Sequence, residues 1–306
     1  MLDHILLIAN PAAQSGRAAA AADRAAACLR AALGDDTVTV ACTAGPRHAC
    51  EIARRAEGAT VVVALGGDGV IHEVANGLMA RTAGERPALG VIPVGSGNDY
   101  ARALGVPVDV EHACTQLLAA SAPDGMGARL VDVGRVNDEW FVETLSFGLD
   151  AAIALDTMER RRRTGRSGTA LYLASGFDQL FHHLNERPYR LSLDGGAPEE
   201  GRSITFAVQV GPYYGGGFKV CPAARLDDGL LDLCIAHPPV SPARAAYIFL
   251  RAKAGTHTNF KQIDLRTCRT LHLEFDEEPP TQADGERLEG RTFDIAVEPA
   301  ALRVLA

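Results

Sequence analysis

Two short stretches of this 306-residue chain carry residue types suited to chemistry, "GGDG" at 66–69 and "GSGND" at 95–99. Each ends an apolar run and sets an aspartate, Asp68 or Asp99, among residues with little or no side chain. Glycine admits positive φ and lets a ligand approach the backbone, and a helix starting after such a turn offers N–H groups to anionic oxygens. Phosphate is the natural occupant. Bare phosphate would repel a carboxylate there, so Asp68 suits a Mg²⁺ ion bridging phosphate oxygens, or the uptake of a proton. One such turn is as easily an ordinary strand-to-helix connection. Two at neighbouring strand ends point to a nucleotide site. Competing motifs fail: there is no G-x-x-x-x-G-K-[ST], Tyr100 stands where the dinucleotide fingerprint needs a third small residue, and Asn76 replaces the second histidine of a zincin in "HEVAN".

The first 130 or so residues supply the frame for these turns by alternating strand-like and helix-like segments, the pattern of a helix-covered parallel sheet. Strands are expected at 4–10, 36–42, 60–65 and 88–94, with helices at 16–33, 46–57 and 70–80. Parallel strands buried on both faces explain why these runs are apolar throughout. Ligands of such sheets lie beyond the carboxyl ends of the strands, where both glycine turns fall. From about 129 the texture becomes strand-rich, interrupted by helical stretches at 151–185 and 241–252, so a mostly antiparallel second domain is expected. The domains predicted are 1–130 and 131–296, and the strand-like end, about 297–306, returns to the first.

Hydrophobic residues make up 47% of the chain, enough to fill two cores. The seven cysteines are scattered, without a C-x-x-C pair, and read as reduced thiols. A formal charge of −8 argues against general nucleic-acid binding. No run approaches a membrane span and the start lacks signal-peptide features, so a cytoplasmic protein is expected.

With these features in order, the sequence resembles the soluble bacterial lipid kinases that carry the diacylglycerol kinase catalytic domain, relatives of sphingosine kinases and, more distantly, NAD kinases. The resemblance rests on "NPAAQSGR" (10–17), Thr43, "GGDGVIHEVANGL" (66–78), "PVGSGNDYARAL" (93–104), "VDVG" (131–134), "GGGFKVCPAARLDDGLLD" (215–232) and "ADGE" (283–286). It implies an α/β plus β fold, with a Rossmann-like parallel N-terminal domain and a C-terminal, mostly antiparallel β-sandwich. It implies ATP and Mg²⁺ as cofactors and phosphorylation of a lipid hydroxyl as the reaction.

Carried onto this chain, the resemblance gives ATP contacts to Thr43, to Gly66, Gly67, Asp68, Gly69, Val70, Ile71, His72 and Glu73, and to Gly95, Ser96, Asn98 and Asp99. Asn10 and Ser15 line the same crevice. Glu286 is the implied proton acceptor and Asp68 belongs to the catalytic Mg²⁺ and phosphate arrangement, with Asp99 and Asp132 near it. A structural Mg²⁺ is implied at the Asp228 side chain and the backbone carbonyls of Arg225 and Leu230, with Asp132 counted among the metal residues. Departures are Val70 where the family usually has threonine, Ser96 for another threonine, and a looser spacing in "NPAAQSG". An NAD kinase-like enzyme acting on a soluble ribose hydroxyl, or a non-catalytic nucleotide or lipid sensor, are the alternatives.

Other features stay open on the sequence alone. "DDGLLD" is also a good hairpin turn, and "PYYGGGFKV" a glycine hairpin. Arg160–Arg163 with Arg166 are either a solvated helix end or a contact with an anionic bilayer. His182 and His183 read as surface or core residues, and an edge strand of the second domain offers a surface for a homodimer.

Overall fold

A computed structural model describes residues 4–11, 16–121, 128–166 and 168–306. The chain divides into two compact units, residues 1–131 with 300–306, and residues 132–299.

The first unit runs β1 (Ile5–Ala9), α1 (Arg17–Leu33), β2 (Val38–Cys42), α2 (His48–Arg54), β3 (Val61–Gly66), α3 (Asp68–Met79), β4 (Ala88–Pro93), α4 (Asp99–Leu104) and α5 (Val110–Ala120). Parallel pairing gives the order β2-β1-β3-β4, with Ala9 level with Cys42 and Leu65, and Gly66 level with Pro93. β1, β3 and β4 are buried at every position, as two-sided cover by helices requires. The far side of β4 takes the end of the chain: Val304 pairs Leu89 and Leu305 pairs Gly90, both parallel, and Arg86 donates to the Ala301 carbonyl. α3 starts at Asp68, two residues before the helix expected from the apolar pattern, so "DG" forms its first turn.

The second unit continues with β5 (Ala128–Val136), β6 (Glu139–Phe141), β7 (Thr144–Gly148), α6 (Leu149–Thr164), α7 (Thr169–His182), β8 (Arg187–Leu193), β9 (Glu199–Ser203), β10 (Thr205–Gln209), β11 (Tyr213–Tyr214) and β12 (Phe218–Lys219). It closes with β13 (Leu231–Ala236), α8 (Pro242–Ala252), β14 (Ile263–Cys268), β15 (Thr270–Phe275), β16 (Thr281–Ala283), β17 (Glu286–Leu288) and β18 (Thr292–Leu305), whose last residues belong to the first unit. One sheet has the antiparallel order β14-β13-β10-β7-β16-β17, and the other runs from the first half of β18 through β15 and β8 to β9. Aromatic rings join the two sheets: Phe147 of β7 lies 4.8 Å from Phe293 of β18 and 5.4 Å from Phe275 of β15, and Tyr189 of β8 meets Phe206 of β10 edge-on. The expected helix over 151–185 is two helices, because Gly165 at positive φ ends the first and Gly168, also at positive φ, precedes the second. Among the described residues no helix is long and apolar enough to cross a membrane.

Candidate active site

The parallel register of the first unit decides what can meet. Asn10 follows β1, Thr43 follows β2, Gly66 ends β3 with Gly67 and Asp68 after it, and Gly95–Asp99 follow β4, so all of them fall on one edge of the sheet. The Thr43 amide donates to the Ala9 carbonyl at 2.8 Å, extending the β1–β2 pairing one step beyond the strands. Ser15 lies outside the described residues.

The two glycine turns touch backbone to backbone. A Cβ at position 95 would lie 2.4 Å from the Gly67 Cα, and one at 67 would lie 3.0 Å from the Gly95 Cα. Side chains are absent here because the turns leave no room for them. Asn98, at φ 53°, locks the second turn: its Oδ1 accepts from the Gly95 amide and its Nδ2 donates to the Gly95 carbonyl. Gly69 differs from both, since a Cβ on it would meet nothing within 4 Å and its φ is not positive. It sits in the open, in the first turn of α3.

Asp68 joins the turns. Its Oδ1 accepts from the Asp99 amide at 2.8 Å and the Tyr100 amide at 3.4 Å, capping α4 from the first residue of α3. Its carboxylate is thereby aimed, and one of its oxygens lies within 4.8 Å of a carboxylate oxygen of Asp99. Asp99 is buried and receives Arg102 of the following turn. Two hard oxygen donors at this separation fit Mg²⁺.

The rest of the 66–73 segment divides by duty. Gly66 abuts Val70, whose side chain a Cβ on the glycine would strike at 2.7 Å. Ile71 is core and His72 is buried beside Asn76. Both carboxylate oxygens of Glu73 accept backbone amides at 2.9 Å, from Arg47 and Ala49, so this side chain caps the start of α2. Ser96, half-buried, lies in the second turn between Gly95 and Asn98.

In the second unit, the 225–230 loop carries the residues expected to hold a structural cation. The buried Asp132 accepts the Gly229 amide at 2.7 Å and donates its own amide to the Leu226 carbonyl, so it shapes the loop from beneath. Asp228 is exposed and its Oδ1 accepts the Leu230 amide; Arg225 reaches Asp227. Burial, helped by the negative charge of Asp228, pushes the Asp232 carboxyl up to about 6. Such an excess of oxygen donors suits a divalent cation.

Glu286 opens β17, exposed, in a hairpin with β16 where it pairs Ala283. The hairpin is held by a residue that sequence reasoning passed over. Asp284, buried at φ 47°, accepts three backbone amides, from Val142 (2.7 Å), Glu143 (3.0 Å) and Thr144 (2.8 Å). Its position within "ADGE" was a signal, but nothing local says that its partners lie about 140 residues away. Asp150 was likewise missed. It lies in the first turn of α6, buried, receives Tyr214 and Tyr172 hydroxyls, and is pushed up to about 6 because burial outweighs those bonds.

Both units of the chain resemble known proteins. Residues 4–127 match the model of the diacylglycerol kinase catalytic domain, and residues 143–306 that of the YegS C-terminal NAD kinase beta sandwich-like domain. A Mycobacterium tuberculosis protein named diacylglycerol kinase is 31% identical over 98% of this chain and 94% of its own. A Pseudomonas aeruginosa protein named probable lipid kinase YegS-like is 34% identical over 81% of this chain and 77% of its own. In fold, a diacylglycerol kinase structure from Bacillus anthracis superposes with a TM-score of 0.77 at 24% identity, covering 99% and 96% of the two chains. An Archaeoglobus fulgidus NAD kinase in complex with ATP gives 0.56 at 12%, covering 99% and 93%. The chain belongs to the lipid kinases built on the diacylglycerol kinase catalytic domain.

Proposed function

We propose that the protein transfers the γ-phosphoryl group of ATP to the free hydroxyl of a membrane glycerolipid of the diacylglycerol type. The observation that carries this reading is the row on the first unit's sheet edge, where Asp68 bonds across to Asp99 between two abutting glycine turns. Phosphoryl transfer asks a protein mainly for positioning and charge stabilisation. The open first turn of α3, with the backbone bare at Gly69, is where the triphosphate sits, its oxygens taking helix N–H groups. Asn10, Thr43 and Ser96 line the nucleotide's path along the same edge.

Asp68 and Asp99 would hold the catalytic Mg²⁺, and Asp228 with the Arg225 and Leu230 carbonyls a structural one, above a loop that Asp132 shapes. A bound Mg²⁺ offsets the negative charge of the phosphate oxygens. Glu286 takes the proton from the acceptor hydroxyl; exposed, and on a hairpin fixed by Asp284, it is a base whose support is rigid. The enzyme works as a cytoplasmic protein that visits the inner membrane face, and an edge strand such as β9 is the surface on which two copies would pair.

The test is transfer from labelled ATP with Mg²⁺ to a lipid panel in mixed micelles, with NAD as soluble comparator. Labelled phosphatidic acid from diacylglycerol is expected, at least about a hundredfold weaker with Glu286→Gln, in line with loss of a general base. Label on NAD alone would refute the lipid assignment.

A further inference from the structure

α6 and α7 form a helical pair in the second unit with an unusual outer surface. α7 buries Tyr172, Ser175, Gly176 and Leu180 on one side. Its other side, Ala170, Ala174, Phe177 and Phe181, repeats at i, i+4, i+7 and i+11, is exposed, and is apolar at every position. Phe177 and Phe181 are 37% and 53% exposed, their rings stacked with centroids 6.5 Å apart. A solvent-facing helix stripe ordinarily carries charge. The outer face of α8 does, with Arg244 and Arg251 among Tyr247 and Leu250.

The charge lies next door. α6 ends in Arg161, Arg162 and Arg163, with Arg166 just beyond, all exposed. Residues 159–183 hold five arginines against two acidic residues in a chain whose net charge is −8. Arg160 fixes the arrangement: it bonds Asp156 on its own helix and Asp178 on α7, the residue next to Phe177. A basic helix end is thus tied to an apolar, aromatic stripe. An aqueous partner would use one of these features. A lipid surface uses both, since anionic headgroups attract the arginines while the interface takes up aromatic rings.

We infer that the α6–α7 pair is the membrane-docking face of this kinase, with the arginines drawn to anionic headgroups and the Ala170–Ala174–Phe177–Phe181 stripe seated in the headgroup boundary. The inference rests on the lipid-kinase reading only for its purpose. Docking itself requires no ATP.

The experiment measures co-sedimentation of the full chain with phosphatidylcholine vesicles, with and without phosphatidylglycerol, in the absence of ATP. Binding is expected only with the anionic lipid and is expected to weaken with salt. Phe177→Ser with Phe181→Ser should lower it roughly 30-fold, from the exposed ring area that two phenylalanines contribute. Arg162→Glu, Arg163→Glu and Arg166→Glu together should lower it at least about tenfold. All these side chains are exposed, and unchanged thermal unfolding will confirm folded variants. Turnover of a short-chain, water-soluble diacylglycerol should stay at the parent level in both variants. If both variants bind vesicles as the parent does, the proposal is overturned, whatever the soluble activity. Vesicle binding retained while the aromatic variant changes the mass in solution would make the stripe a contact between two copies, which also overturns it. A parent that binds anionic vesicles but never phosphorylates the soluble diacylglycerol would support docking while removing the substrate assignment.

Discussion

Gly69 and Gly95 look alike in the sequence, yet the structure gives them opposite constraints. Alanine at 95 would put its Cβ 2.4 Å from the Gly67 Cα and 2.6 Å from the Asn98 Oδ1. Backbone cannot yield as a side chain can, so the two turns must part, at a cost of about 1–3 kcal/mol for overpacking. Alanine at 69 meets nothing within 4 Å and needs no unusual φ, while it removes the entropic cost of glycine in a helix, for a gain of up to about 1 kcal/mol. Stability alone therefore favours Gly69→Ala. If the triphosphate lies against this turn, the added methyl occupies the space that the phosphate oxygens need. KM for ATP should then rise at least about tenfold, equivalent to about 1.4 kcal/mol of binding. Urea unfolding and steady-state kinetics on both variants give the answer. A Gly69→Ala protein that is more stable and has an unchanged KM for ATP would show that this glycine belongs to the turn alone, and the cradle assignment would fall.

Two further outcomes follow from the second unit. Asp284→Ala leaves three buried backbone amides without their acceptor and should cost about 3–5 kcal/mol in urea unfolding, whereas Glu286→Gln two residues on should stay within about 0.5 kcal/mol. Asp150 titrates near 4 when unfolded and about 6 when folded, so the native state binds the extra proton between those values and stability falls as pH rises from 4 to 6. Asp150→Asn should remove up to about 3 kcal/mol of that fall, leaving a shallower slope from Asp232; an identical slope in the variant would show that Asp150 does not titrate there.

The parallel half of the fold was legible because β1, β3 and β4 are buried on both faces and so read as unbroken apolar runs, with glycine turns marking where they stop. Two carboxylates could be read only by residue type. Glu73 resembles any acidic residue of a motif, yet its partners are the amides of Arg47 and Ala49, more than twenty residues upstream. Asp284 serves amides about 140 residues away while Glu286 points to solvent, and the spelling "DGE" does not separate an anchor from a base. The break between α6 and α7 was hidden for a local reason. Both flanking segments are helical in pattern, and Gly165 and Gly168 interrupt them only through their conformation. Hydrogen bonds from side chains to distant backbone leave no periodic trace in a sequence, so such duties emerge only from coordinates.

β18 has a consequence for the birth of the molecule. The partner that closes the outer side of β4 is made of residues 304 and 305, more than 200 residues beyond that strand in the chain. Many chains fold from the N-terminus as they emerge. Here the first unit can collapse early around β1, β3 and β4, but one hydrogen-bonding edge of β4 stays bare until residues 304 and 305 have been made. A polypeptide stopped before residue 300 would keep every glycine turn and still leave the first unit with that edge exposed. The second unit is therefore made before the sheet of the first can be completed.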